Sequence, residues 1–94
     1  MKNITYLLLL FLIVIGCKSN LSDTEKKQVS ELIHKAQVHR MHGDLDQAQV
    51  NYLKALEIDQ NNTAIQYELI GVYIENDSLG QAFQVFKQIP KEER

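Results

Sequence analysis

Residues recur along this chain at a spacing of 34: Val38 returns as Val72, His39 as Tyr73, Leu45 as Leu79, Gln47 as Gln81, Ala48 as Ala82 and Tyr52 as Phe86. Pairs so regularly placed mean that one structural unit is built twice, first over 29–62 and then over 63–94. A period of this length, filled by two amphipathic helices, belongs to helical solenoids, in which each unit buries its apolar face against the next. The expected fold class is therefore all-α, with two helix-turn-helix repeats in a short α-solenoid.

Capping patterns mark the helix starts. Ser22 with Glu25, Asp44 with Gln47, Thr63 with Gln66 and Ser78 with Gln81 each set a capping residue three positions before Glu or Gln. In such a box the two side chains satisfy backbone N–H groups that a first turn leaves unpaired. Four helices are predicted over 23–42, 45–59, 64–76 and 79–89, the last stopped by Pro90, which has no N–H to donate. Val29, Leu32, Ile33 and Ala36 fall on one face of the first helix, and Leu45, Ala48, Tyr52 and Ala55 on one face of the second. Ala48 and Ala82 keep the helix crossings narrow, so that the rings of Tyr52 and Phe86 pack in the adjoining gaps.

These residues resemble the tetratricopeptide repeat, whose first helix carries a bulky residue, a Leu-Gly pair and a Tyr, and whose second carries Ala-x3-Phe. In the first unit Leu32 stands at the bulky site, Ala36 at the Gly site, Ala48-x3-Tyr52 at the Ala-x3-Phe site, and Ala55-Leu56 follows; Gly43-Asp44 lies at the turn. Lys35, His39 and Gln60 replace the family's Leu, Tyr and Pro. In the second unit Leu69, Ile70, Tyr73, Ala82 and Phe86 fit, while Gln66 replaces the bulky residue.

The start of the chain has a different character. Lys2 is followed by an unbroken apolar run from Leu7 to Ile15, then Gly16 and Cys17. This is too short to span a bilayer as a helix and reads as a targeting segment. The ending Val14-Ile15-Gly16-Cys17 resembles the lipobox of bacterial lipoproteins, which implies cleavage of a signal peptide over 1–16 and lipidation of Cys17. Residues 17–22 then form the lipidated cysteine and its tether, followed by a first repeat over 23–62 and a second, incomplete one over 63–94. Lys18, in place of the Asp that retains enteric lipoproteins at the inner membrane, implies an outer-membrane address where one exists. Several acyl chains hold a protein stably at a membrane, since each buried methylene contributes about 0.8 kcal/mol.

Composition excludes other functions. Loss of 1–16 leaves nine Lys and Arg against twelve Asp and Glu, a formal charge of −3. No nucleic-acid partner is expected, because such binding rests on cations that neutralise phosphates. A single cysteine permits neither an internal disulfide nor a cysteine metal cluster. His34, His39 and His42 form no i, i+4 pair, and Gly43, Gly71 and Gly80 form no phosphate loop. No metal, no cofactor and no catalytic residue is expected, and the chain reads as a binding protein and not an enzyme. His39 is expected to pack where the family has Tyr.

The resemblance implies a concave groove lined by the first helix of each repeat, to which protein or peptide partners bind. By position it displays Ile33, Gln37, Arg40 and Met41 from the first unit and Tyr67, Ile74 and Glu75 from the second, with Ser30, Ala64 and Gly71 beside them. Relatives that grip carboxylate tails place Lys and Asn where this chain has Ile33 and Gln37, so a hydrophobic segment or partner helix is the expected occupant. Arg40 would orient it, and Tyr67 and Arg40 belong to the types that dominate hot spots. A second expectation concerns the last helix, whose Phe83, Phe86 and Ile89, with Leu79 and Val85, exceed what one neighbouring helix can cover. Two repeats are fewer than the three a solenoid generally needs, so this terminal apolar face is expected to meet another protein or a second copy, giving a homo-oligomer. The chain thus reads as a membrane-tethered adaptor or scaffold of a bacterial envelope, with a self-associating envelope protein as the alternative.

Overall fold

The computed structural model describes residues 20–94. They form four α-helices, α1 (Asp23–Met41), α2 (Leu45–Ile58), α3 (Thr63–Glu75) and α4 (Leu79–Gln88), and a closing 3-10 turn over Lys91–Glu93. Each lies within two residues of its predicted range. The signal segment, Cys17 and the first tether residues lie outside the described residues.

Two hairpins result: α1 packs on α2, α3 packs on α4, and α2 lies against α3. The core is one cluster running through both hairpins, from Val29 and Ala36 through Ala48, Tyr52 and Ala55 to Ile65, Leu69, Val72, Tyr73 and Ala82. Leu32, Ile33, Leu45 and Val85 pack against its margin. Small residues sit where helices cross, and the ring of Tyr52, 0% exposed, fills the space that Ala48 leaves.

Only the first helix start forms the full expected box. Ser22 forms the full reciprocal box with Glu25, at 3.1 Å and 3.0 Å, and Asp44 accepts from the Gln47 N–H at 3.3 Å. At α3 the cap is Asn62, not Thr63: its Oδ1 accepts from the Ile65 N–H at 3.2 Å. Helix entry one residue earlier than the sequence pattern suggests lets Thr63 Oγ1 donate instead to Glu93 Oε2 at 3.0 Å. Ser78 starts α4 with no side-chain cap bond, its hydroxyl lying 3.4 Å from the Asn76 carbonyl.

The two inter-helix turns are built alike. Gly43 N–H donates to Arg40 O and Asp44 N–H to His39 O; 34 residues on, Asp77 N–H donates to Ile74 O and Ser78 N–H to Tyr73 O. These are the paired bonds of a helix end closed by a left-handed residue. That residue is Gly43, at φ 78°, in the first repeat and Asp77, at φ 56°, in the second. Two departures from the family pattern also resolve. His39 is half-buried and not packed like its counterpart Tyr73; its Nδ1 lies 3.5 Å from Asp44 Oδ2. Gln66 is buried at the bulky site, and no buried side-chain polar atom among the described residues lacks a partner.

Candidate functional site

Side chains of α1 and α3, the first helices of the two hairpins, meet beside Tyr52 of α2. The opening is a hollow of about 450 Å³ lined by Gln37, Arg40, Met41, Tyr52, Glu68 and Glu75. Of the groove residues expected from sequence it unites Gln37, Arg40, Met41 and Glu75. Ile33 lines an adjoining hollow of about 410 Å³ that also reaches Gln37. Tyr67 and Ile74 are exposed on α3 but do not line the hollow.

A polar cluster holds the hollow's walls. Arg40 Nε donates to Glu75 Oε1 at 2.9 Å, and the Arg40 Nη2 pairs with the same oxygen. Its Nη1 donates to Glu68 Oε2 at 3.1 Å, and that oxygen also accepts from the Tyr52 hydroxyl at 3.0 Å. Four side chains from three helices are thereby joined. The guanidinium is suited to this bridging because its donors lie in a fixed planar fork. Hydrogen bonding to Arg40 holds the Glu75 carboxyl below its ordinary range, so it is charged at neutral pH. The carboxylates in turn raise Arg40 further, chiefly through the Glu75 hydrogen bond. Burial first, then donation to Glu68, pushes the Tyr52 hydroxyl up to about 12.

Gly71 leaves room for the guanidinium in this geometry. A Cβ there would lie 2.7 Å from Arg40 Nη2, inside contact distance, so the guanidinium reaches its two carboxylates across a helix face without side chain. The position carries the helix-propensity cost of glycine, about 1 kcal/mol relative to alanine.

The structure changes the sequence reading of this face in two respects. Arg40 is not an unengaged cation awaiting a partner, because it is committed to two carboxylates of its own chain. Glu68 was missed altogether. It shares one stripe of α3 with Ala64, Gly71 and Glu75, at steps of four, three and four residues, and that spacing was the available signal.

The terminal apolar face is also smaller than expected. Ile89 is 1% exposed and joins the interior. After Pro90 the chain turns back: Arg94 donates to the carbonyls of Ile89 at 2.9 Å and Lys87 at 3.1 Å, and its guanidinium lies 4.8 Å from the Phe86 ring. The Tyr67 hydroxyl donates to Glu93 O at 3.2 Å, tying this segment to α3. Sequence periodicity carried no information on a fold-back outside the repeat. What stays open on α4 is Leu79, 64% exposed, and Phe83, 58% exposed, with Lys87 Nζ 5.2 Å from the Phe83 ring.

Among the described residues no group of three or more His, Cys, Asp or Glu is arranged to hold a metal ion, and no helix is long and apolar enough to cross a membrane. Paired helical hairpins packed in series define a helical repeat module. The tetratricopeptide repeat family profile matches residues 39–94, more than half of the sequence, and the chain belongs to that family. Such repeats are typically non-catalytic modules that bind protein partners. No curated protein and no solved structure matches the chain.

Proposed function

We propose that this protein is a lipid-anchored tetratricopeptide adaptor of a bacterial envelope, in which Cys17 fixes the module at a membrane and the hollow between α1 and α3 holds a segment of a partner protein. The hollow is the observation that carries the binding role: it is open, is lined by both repeats, and has polar walls fixed in place by Arg40. The leader supports the anchor through its apolar run ending in Gly16-Cys17. Lys18 favours the outer membrane as the address. Anchoring confines the module to a surface and so raises its effective concentration for partners there.

Two measurements test the reading. Metabolic labelling with palmitate is expected to mark the native chain and not Cys17→Ser; label absent from both would overturn the anchor. A photo-crosslinking residue at Gln37 is expected to capture a protein partner in cells, whereas the same residue at exposed Lys54 on α2 is not. Equal capture from both sites would remove the hollow from the proposal.

Exposed Leu79 and Phe83 favour a second reading, in which α4 meets a second copy. Sedimentation across a concentration series is then expected to show a dimer that Phe83→Glu dissociates. A monomer at every concentration would sink self-association.

A further inference from the structure

The hollow's charge identifies its occupant. Two carboxylates, Glu68 and Glu75, share a single guanidinium, so the walls retain one negative charge at neutral pH. Arg40 engages only Glu68 Oε2 and Glu75 Oε1. Glu68 Oε1 and Glu75 Oε2 accept no hydrogen bond from the described residues, and both side chains are more than two-fifths exposed. Beside them Met41, 83% exposed, offers an aliphatic surface. From these placements we propose that the hollow binds a partner segment carrying a lysine or arginine next to an aliphatic side chain: the cation bonds the outer oxygens of Glu68 and Glu75, and the aliphatic group lies on Met41. This names the partner chemistry for the adaptor reading above and rests on it.

The same arrangement rejects anionic ligands. A phosphate, an acidic peptide or a carboxylate tail would meet two carboxylates, and the one cation within reach already has both of its edges engaged. Like-charge juxtaposition selects against wrong partners as effectively as opposite charges select the right one. Arg40 has a positioning role: it holds the carboxylates in place and neutralises one of them. Its removal therefore raises the negative charge of the site, whereas removal of either carboxylate lowers it.

The opposed signs make the test. The full-length protein, purified in a non-ionic detergent, is titrated into short fluorescent peptides that carry Lys, Gln or Glu at two positions beside a leucine, and anisotropy is read. Affinity is expected to fall in the order Lys, Gln, Glu. E68Q and E75Q should each weaken the lysine peptide about two- to fivefold, the range of an exposed ion pair, and R40Q should tighten it. E31Q, at an exposed carboxylate of α1 outside the hollow, should change nothing. Weakening by R40Q as much as by E75Q, or equal binding of the Lys and Glu peptides, would overturn the inference. Capture at Gln37 in cells separates it from the adaptor reading. A partner captured equally by the native chain and E68Q/E75Q overturns the basic-segment inference alone, while no partner at Gln37, with the lysine peptide bound as expected, overturns the adaptor alone.

Discussion

Tyr52 and Phe86 hold the same place in successive repeats, yet the first ring is fully buried and the second only half-buried, beneath Arg94. The contrast runs in reverse between Tyr73 and His39, since Tyr73 lies in the shared interior and His39 stands at its edge, whereas Ala48 and Ala82 are buried alike. Burial here follows position in the stack and not residue type. Helix α2 is covered by α1 on one side and α3 on the other, whereas α4 packs on α3 alone, the fold-back after Pro90 reaches only its last turn, and Leu79 and Phe83 stay exposed. Equivalent substitutions in the two repeats should therefore have unequal effects.

The largest difference is expected at the aromatic pair. Tyr52→Ala removes a ring packed on all sides and should cost about 3–5 kcal/mol, enough to unfold a small domain near room temperature. Phe86→Ala, at a half-buried ring, should cost about 1 kcal/mol. Circular dichroism melts of the two variants decide the matter; equal losses would mean that α4 is as enclosed as α2. The crossings give a second, smaller contrast. Ala48→Leu overpacks the α1–α2 contact and should cost about 1–3 kcal/mol, while Ala82→Leu can displace its neighbours toward solvent and should cost less. An unchanged midpoint for Ala48→Leu would refute the register of the first repeat.

The Tyr52 hydroxyl sharpens the comparison through pH. Its ordinary value is 10.0, and in the folded chain it stands at about 12. Above pH 10 the unfolded chain gives up this proton while the folded chain keeps it, so stability present below that point is lost as pH climbs toward 12. Phe86 has no hydroxyl and adds nothing to this dependence. Alkaline melts of Tyr52→Phe should accordingly fall less steeply across the window than those of the native chain. Identical slopes would show that burial and Glu68 do not hold the proton. At neutral pH the same variant should lose about 1 kcal/mol with the hydrogen bond to Glu68.

Much of the architecture was legible because it rests on spacing. The recurrence of Ala48 and Tyr52 as Ala82 and Phe86 located both hairpins, and the apolar steps on α1 and α2 found the core. The groove residues Gln37, Arg40, Met41 and Glu75 were brought to one hollow by the same register. What spacing could not convey was pairing. Whether Arg40 faces a partner or its own carboxylates depends on the approach of α1 to α3, which Gly71 permits and which no count along one helix records. The burial of Ile89 lies outside the reach of spacing for a related reason: its carbonyl is bonded by Arg94, in a segment outside the repeat pattern.

The smallest expected effects come from the turns, where the comparison can be made by exchange. Gly43 and Asp77 occupy the same left-handed position and make the same two backbone bonds. Glycine enters that region without steric cost, while other residues are strained there, Asp less than most. Asp77→Gly should therefore stabilise the chain by about 0.5 kcal/mol, the relief of strain being partly offset by the greater freedom glycine gives the unfolded chain. Gly43→Asp should destabilise it by a similar amount. The Asn76 amide donates to Asp46 Oδ1 at 3.4 Å beside the first turn, but Gly43 and Asp77 make no bond to each other, so the two changes should add and the double exchange should melt with the native chain. A residual difference would show that one turn asks more of its residue than the other. If the deficit lay at Gly43, the fully packed first hairpin would be the one holding its backbone rigid, and the burial contrast between Tyr52 and Phe86 would extend to the main chain.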